Sequence, residues 1–138
     1  MLQETVACAH EGVRRLGFSS KIWRCLERSE RLKFDLHVPE WSELSSMLDA
    51  TREHMAIAPN NVVREIVGRN PDTVRIARQQ GAPQADNGIV ALLPLTAEGA
   101  AALIEGRLDG AAPAPHWIAP PGQQPHAVYV WLIYMPGS

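Results

Sequence analysis

Only two cysteines, Cys8 and Cys25, occur in 138 residues. That is too few for a disulfide scaffold, and their setting has no zinc-site spacing, so a core must hold the chain together and the cytoplasm is the default location. A large charge of one sign is missing as well. The formal net charge is −2, which gives no general pull toward nucleic acid or an anionic membrane. No stretch approaches the roughly 18–20 apolar residues of a membrane span. The opening Met1-Leu-Gln-Glu-Thr-Val6 has neither the basic region nor the apolar core of a signal peptide. Absent too are G-x-G-x-x-G, the Walker loop, G-x-S-x-G, H-E-x-x-H and C-x-x-C, and with them the common nucleotide, serine-hydrolase, zinc-protease and dithiol chemistries. The five histidines, His10, His37, His54, His116 and His126, share no ligand spacing, so no metal site is expected.

What is present describes one globular domain. Hydrophobic residues make up 46% and charged residues 20%, and a chain of this length buries about two-thirds of its unfolded surface. Charge is uneven: residues 1–33 hold seven Lys/Arg against four Glu, and the remainder six against eleven acidic residues. Val6, Ala9, Val13 and Leu16 give one helix, Gly17 breaks it, and Ile22, Trp23 and Leu26 stripe a second, so residues 1–31 are expected to form a helical hairpin. Leu32, Phe34, Leu36 and Val38 then alternate with polar residues as in a half-buried strand. Pro39 suits the start of a helix carrying Trp41, Leu44, Met47 and Leu48 to about Arg52. Asn60 or Asn61 is expected to cap a further helix bearing Val62, Val63, Ile66 and Val67, ended by Asn70-Pro-Asp72.

Thr73–Arg78 and Gly88–Leu95 should pair as a hairpin with a polar tip. Thr96 caps a helix with Ala100, Leu103, Ile104 and Leu108 expected on one face, closing near Gly110. A Pro-rich surface loop, Ala111–Pro125, returns the chain to Ala127–Met135, its most strand-like run. These patterns predict an α+β fold with a mixed, mainly antiparallel sheet and flanking helices over residues 32–138, packed with the hairpin as one compact unit. Trp41, Trp117 and Trp131 are either core residues or pocket lining, with core packing expected for Trp41 and Trp131.

The order of elements over residues 32–137 resembles the first half of the GNAT fold of acyl-coenzyme A N-acyltransferases. Asn70-Pro-Asp-Thr-Val-Arg-Ile-Ala-Arg78 and Gly88-Ile-Val-Ala-Leu-Leu-Pro-Leu95 look like that family's second and third strands, and Tyr129-Val-Trp-Leu-Ile-Tyr-Met-Pro-Gly137 looks like its fourth. The resemblance implies a transferase that moves an acyl group, such as the acetyl of acetyl-coenzyme A, to an amine. It also implies an acyl-coenzyme A cosubstrate whose pantetheine arm pairs with backbone near Ile133, Tyr134 and Met135. Two departures stand out. The helix and loop at 96–125 are an insertion. The family's phosphate-binding loop, Gln/Arg-x-x-Gly-x-Gly/Ala opening a helix, would begin just after the fourth strand, beyond Ser138. The chain is therefore expected to be the N-terminal portion of a larger fold, inactive by itself. No catalytic residue is assigned; Glu40 and Glu43 are possible water-activating carboxylates, although exposed helix charges account for them more simply.

A different class of function rests on Val13–Leu26, which has helix-turn-helix texture: Gly17 at the turn, Ser19 and Ser20 as caps, and Lys21, Arg24 and Arg28 on the second helix. A non-catalytic interaction or DNA-binding regulator is therefore the alternative, with DNA binding the lesser expectation. Finally, Ala127–Met135 carries apolar side chains on both faces. Regular alternation places Val128, Val130, Leu132 and Tyr134 on one and Tyr129, Trp131, Ile133 and Met135 on the other. Such a strand should be covered on both sides, and its free edge is a template for a homodimer or a second chain completing the sheet.

Overall fold

The computed structural model of the chain describes Trp23, residues 34–83 and residues 86–136. Four strands, β1 (Phe34–His37), β2 (Val74–Gln79), β3 (Gly88–Leu95) and β4 (Ala127–Tyr134), form one sheet in the order β1-β2-β3-β4. Every pairing is antiparallel. The α+β class is as the sequence predicts, but the sheet is not mixed among the described residues. Helices α1 (Trp41–Arg52) and α2 (Asn60–Arg69) connect β1 to β2, and α3 (Ala97–Ile104) follows β3. The expected helical hairpin of residues 1–31 lies outside the described residues, apart from Trp23.

α1 forms for the reasons its sequence suggests. Glu43 lies in its first turn and Arg52 in its last, each complementing the helix dipole, and Leu44, Leu48 and Thr51 fall on one buried stripe. Burial of the Thr51 hydroxyl is satisfied because it donates to the Met47 carbonyl at 2.8 Å. α2 differs from expectation at its start. Pro59 occupies the cap position, no side chain caps the helix, and Asn60 is already its first residue. The Asn60 amide donates instead to Asp49 on α1 at 3.2 Å. The Asn-Pro-Asp stop is as predicted, and Asn70 does more than end a helix. Its Oδ1 accepts from the Asp72 N–H at 3.0 Å, and its Nδ2 donates to the Ala119 carbonyl at 2.9 Å.

α3 is capped by Thr96, whose hydroxyl accepts from the Gly99 N–H at 3.1 Å. Its buried face is not the predicted one: Gly99 and Ala102 are buried, whereas Ile104 is 86% exposed. The Trp117 backbone sets this face. A Cβ at Gly99 would lie 2.5 Å from the Trp117 carbonyl oxygen, so only the small side of the helix can dock there. The helix also ends at Ile104, well before Gly110, and Gly106 turns the chain at φ 75°. Leu103 and Leu108 still reach the core, packing against Leu93, Leu95 and Ile118.

The Pro-rich segment is more than a surface crossing. Ile118 bridges Leu95, the Ala119 N–H donates to the Pro94 carbonyl at 2.7 Å, and Ile118 and Ala119 are fully buried. β2 pairs only with residues 88–91 of β3, so residues 117–119 flank the second half of β3 where β2 no longer reaches. Pro94, which has no N–H to give, is tolerated there.

Both faces of the sheet carry apolar side chains. On the helix face, Leu44, Leu48, Val63, Val74, Ile76, Ile89 and Ala91 form one cluster. On the far face, buried Trp23 packs with Ala77, Val90 and Leu92. The Trp23 indole donates to the Asp72 carbonyl at 3.0 Å, and its ring lies 4.8 Å from the Arg75 guanidinium, which also pairs with Asp72 at 3.2 Å. Among the described residues no helix is long and apolar enough to cross a membrane.

Candidate functional site

β4 is an edge strand: it pairs with β3 along one side and with no described strand along the other. Its register shifts between Ala91 and Leu92 of β3, where Ala91 pairs with Leu132 and Leu92 with Val130. Trp131 is thus the extra residue of a β-bulge. A bulge bends the strand and re-aims its side chains, and here it corrects the regular alternation expected from sequence. Tyr129 sits opposite Leu93 and Leu132 opposite Ala91, both on the helix face, and Trp131 packs against the helix-face clusters beside them. Val128 and Met135 pack toward the far face, where Val130 is 53% and Ile133 50% exposed. β4 is therefore not covered on both sides as expected, because its far face stands partly open.

The three positions expected to meet a cosubstrate fall at the end of this strand but point differently. Ile133 pairs with Val90 on the far face. Tyr134 pairs with Ile89 and stacks on His54, ring centroids 6.0 Å apart and nearly parallel. Met135 follows the last strand residue and packs with the far-face cluster.

Beneath the bulge lies a cavity of about 260 Å3 on the helix face. Its floor is Val74, Ile89 and Ala91 of the sheet, and Leu44, Leu48 and Val63 wall it from α1 and α2. Residues 55–58 and the Gly110–Ala111 turn form its rim, with Tyr129, Trp131 and Leu132 contributed by β4. The turn is tied to the strand, since the Trp131 indole donates to the Gly110 carbonyl at 2.7 Å. Tyr129 and Trp131 are the lining side chains with a nitrogen or oxygen atom; the Trp131 N–H is taken by Gly110, and a Cβ at Gly110 would lie 3.8 Å from the Tyr129 hydroxyl.

Sequence reasoning missed this cavity. Concavity here comes from small residues at Ala56, Ala58, Ala91, Gly110 and Ala111, brought together from three separate segments. The available signal was Ala91, a small residue in the middle of an otherwise large-residue strand. The tryptophan expectations fare well: Trp41 and Trp131 are half-buried against the core, and Trp131 also lines the cavity. Trp117 is half-buried, with no hydrogen-bond partner for its indole N–H.

The remaining candidates do not gather at the cavity. Both Glu43 oxygens lie 3.1 Å from His37 Nε2, a largely solvent-facing pair, and Glu40 is exposed at the start of α1. Neither lines the cavity. His116 lies 3.6 Å from Glu98 on the surface. Among the described residues no group of three His, Cys, Asp or Glu is placed to hold a metal ion.

Arg107-Leu-Asp-Gly-Ala-Ala112 fits the letter spacing of the phosphate-loop pattern. It follows α3 rather than β4 and opens no helix, and four of its six N–H groups are already taken. Those of Arg107 and Leu108 donate to the Ala102 carbonyl, and those of Ala111 and Ala112 to Asp109. It therefore lacks the helix N-terminus and most of the unpaired N–H groups that a pyrophosphate cradle uses.

Comparison of the chain with protein-family models, with curated proteins and with solved structures gave no match.

Proposed function

We propose that this chain is a GNAT-like acyltransferase domain or half-domain, in which the free edge of β4 takes the pantetheine arm of an acyl-coenzyme A. The observation that supports the reading is the bulged β4, which no described strand pairs along its outer edge and which lines an apolar cavity with Tyr129, Trp131 and Leu132. An extended amide-bearing arm pairs naturally with an unpaired strand edge, and bulges cluster beside binding sites because they re-aim side chains. The strand order, with two helices between the first and second strands, supports the same reading. In the complete protein, the acceptor amine attacks the thioester carbonyl carbon. The C–N bond forms, the C–S bond breaks, the amine loses a proton, and coenzyme A leaves as the thiol. No described carboxylate or histidine lines the cavity to take that proton, and this chain alone is proposed to be inactive.

A second reading is favoured by Val130 and Ile133, two large apolar side chains half-exposed on the far face of the edge strand. They suit pairing of β4 with a second copy or another chain. The DNA-binding alternative rests on residues 13–28, which lie outside the described residues apart from Trp23.

Calorimetric titration separates these ideas. The acyltransferase reading predicts that S-acetyl-pantetheine binds this chain within roughly threefold of acetyl-coenzyme A, both weaker than about micromolar, because only the arm is recognised. Micromolar coenzyme A with far weaker pantetheine would mean that this chain holds its own phosphate site. Absence of both interactions at millimolar ligand would overturn the reading.

A further inference from the structure

We infer that the cavity beneath β4 binds an uncharged apolar group of about six to ten carbons, carried by whatever ligand occupies the strand edge. The identity of that ligand rests on the acyltransferase reading; the cavity's own preference does not. Protein interiors hold few voids larger than a water molecule, yet this one measures about 260 Å3. Ordered water needs two to four polar partners, whereas a dry cavity of about 150 Å3 lined by aliphatic side chains accepts benzene. Here the lining side chains are aliphatic and aromatic apart from the Tyr129 hydroxyl and the Trp131 indole N–H, which the Gly110 carbonyl already accepts. An ion or a sugar would lose its hydration with almost nothing in return.

The cavity also has a way in. Met55, Ala56 and Ala111 line it and are themselves exposed, so they mark its mouth. The Gly110–Ala111 turn of the rim is tied to β4 by the hydrogen bond from Trp131 to Gly110, which also anchors the indole in the wall. Trp131 is the bulge residue of the β3–β4 pairing, and its ring lines the cavity. An extended ligand on the edge therefore has its apolar end within reach of the mouth. That group is either the acyl chain of the thioester or the side chain of the acceptor amine.

Two homologous series test the inference with the full chain: S-acyl-pantetheines from acetyl to dodecanoyl, and n-alkylamines of the same lengths. Binding is followed by methyl shifts of Val74, Ile89 and Leu132 and by backbone amide shifts of β4. Affinity should rise about fourfold per added methylene and level off once the cavity is full, near six to ten carbons. Ala91→Phe should fill the floor and flatten the rise. Ala111→Leu should flatten it from the mouth, without touching the sheet. A length dependence in the amines alone supports the cavity inference and assigns the apolar group to the acceptor. Flat series with β4 amides still shifting would overturn the inference and leave the acyltransferase reading standing. Length-dependent methyl shifts with β4 amides silent to every pantetheine would do the reverse. Silence of all probes would overturn both.

Discussion

Asn70 shows how much one polar residue settles in this fold. It is 3% exposed, and its amide group both closes the turn into β2 and anchors the segment that flanks β3. Asn70→Ala removes both hydrogen bonds and takes the partner from a buried carbonyl and a part-buried N–H, which should cost about 2 kcal/mol. Asn70→Asp should be no milder, because a carboxylate has no donor for the Ala119 carbonyl. Urea denaturation at constant slope measures both; a loss below about 0.5 kcal/mol would mean that the anchor contributes little. The turn itself was legible in Asn-Pro-Asp, and so was the Thr96 cap, since both act on residues two or three positions away. The tie to Ala119, 49 residues on, left no local trace.

Among the elements, β4 and α3 depart furthest from the pattern-based reading, for different reasons. Alternation reports a strand's facing only when polar residues mark one side. Ala127–Tyr134 is apolar or aromatic throughout, so the sequence cannot say where a bulge flips the register. In α3 the apolar positions are obvious, but the docking face is decided by the approach of the Trp117 backbone to Gly99. β1, α1 and β2 were readable because polar and apolar residues alternate at one clear period, and β3 because its short, wholly apolar run is bounded by turn residues. The bulge itself carries a prediction. Trp131→Phe keeps the ring in the cavity wall but removes the indole N–H that holds Gly110. It should leave the fold intact within about 1 kcal/mol while hydrogen exchange at Ala111 and Ala112 speeds up severalfold. Unchanged exchange at that turn would show that the rim is held by something else.

At the scale of the whole fold, α1 and α2 cover one face of the sheet and wall the cavity, and β4 is the sheet margin that no described strand pairs. The element order behind the GNAT resemblance was legible from hydrophobic periods alone; the cavity was not, since it exists only where three distant segments place small side chains together. The central claim is that the outer edge of β4 is a ligand's strand partner, and hydrogen exchange tests it most directly. At low micromolar protein, the edge-facing amides of Val128–Tyr134 should exchange quickly in the free chain. Saturating S-hexanoyl-pantetheine should slow them by about tenfold or more, together with shifts of the cavity methyls. Exchange that stays fast at saturation would contradict the claim, as would amides already protected without ligand in a concentration-dependent way, which would show that a second copy takes the edge instead.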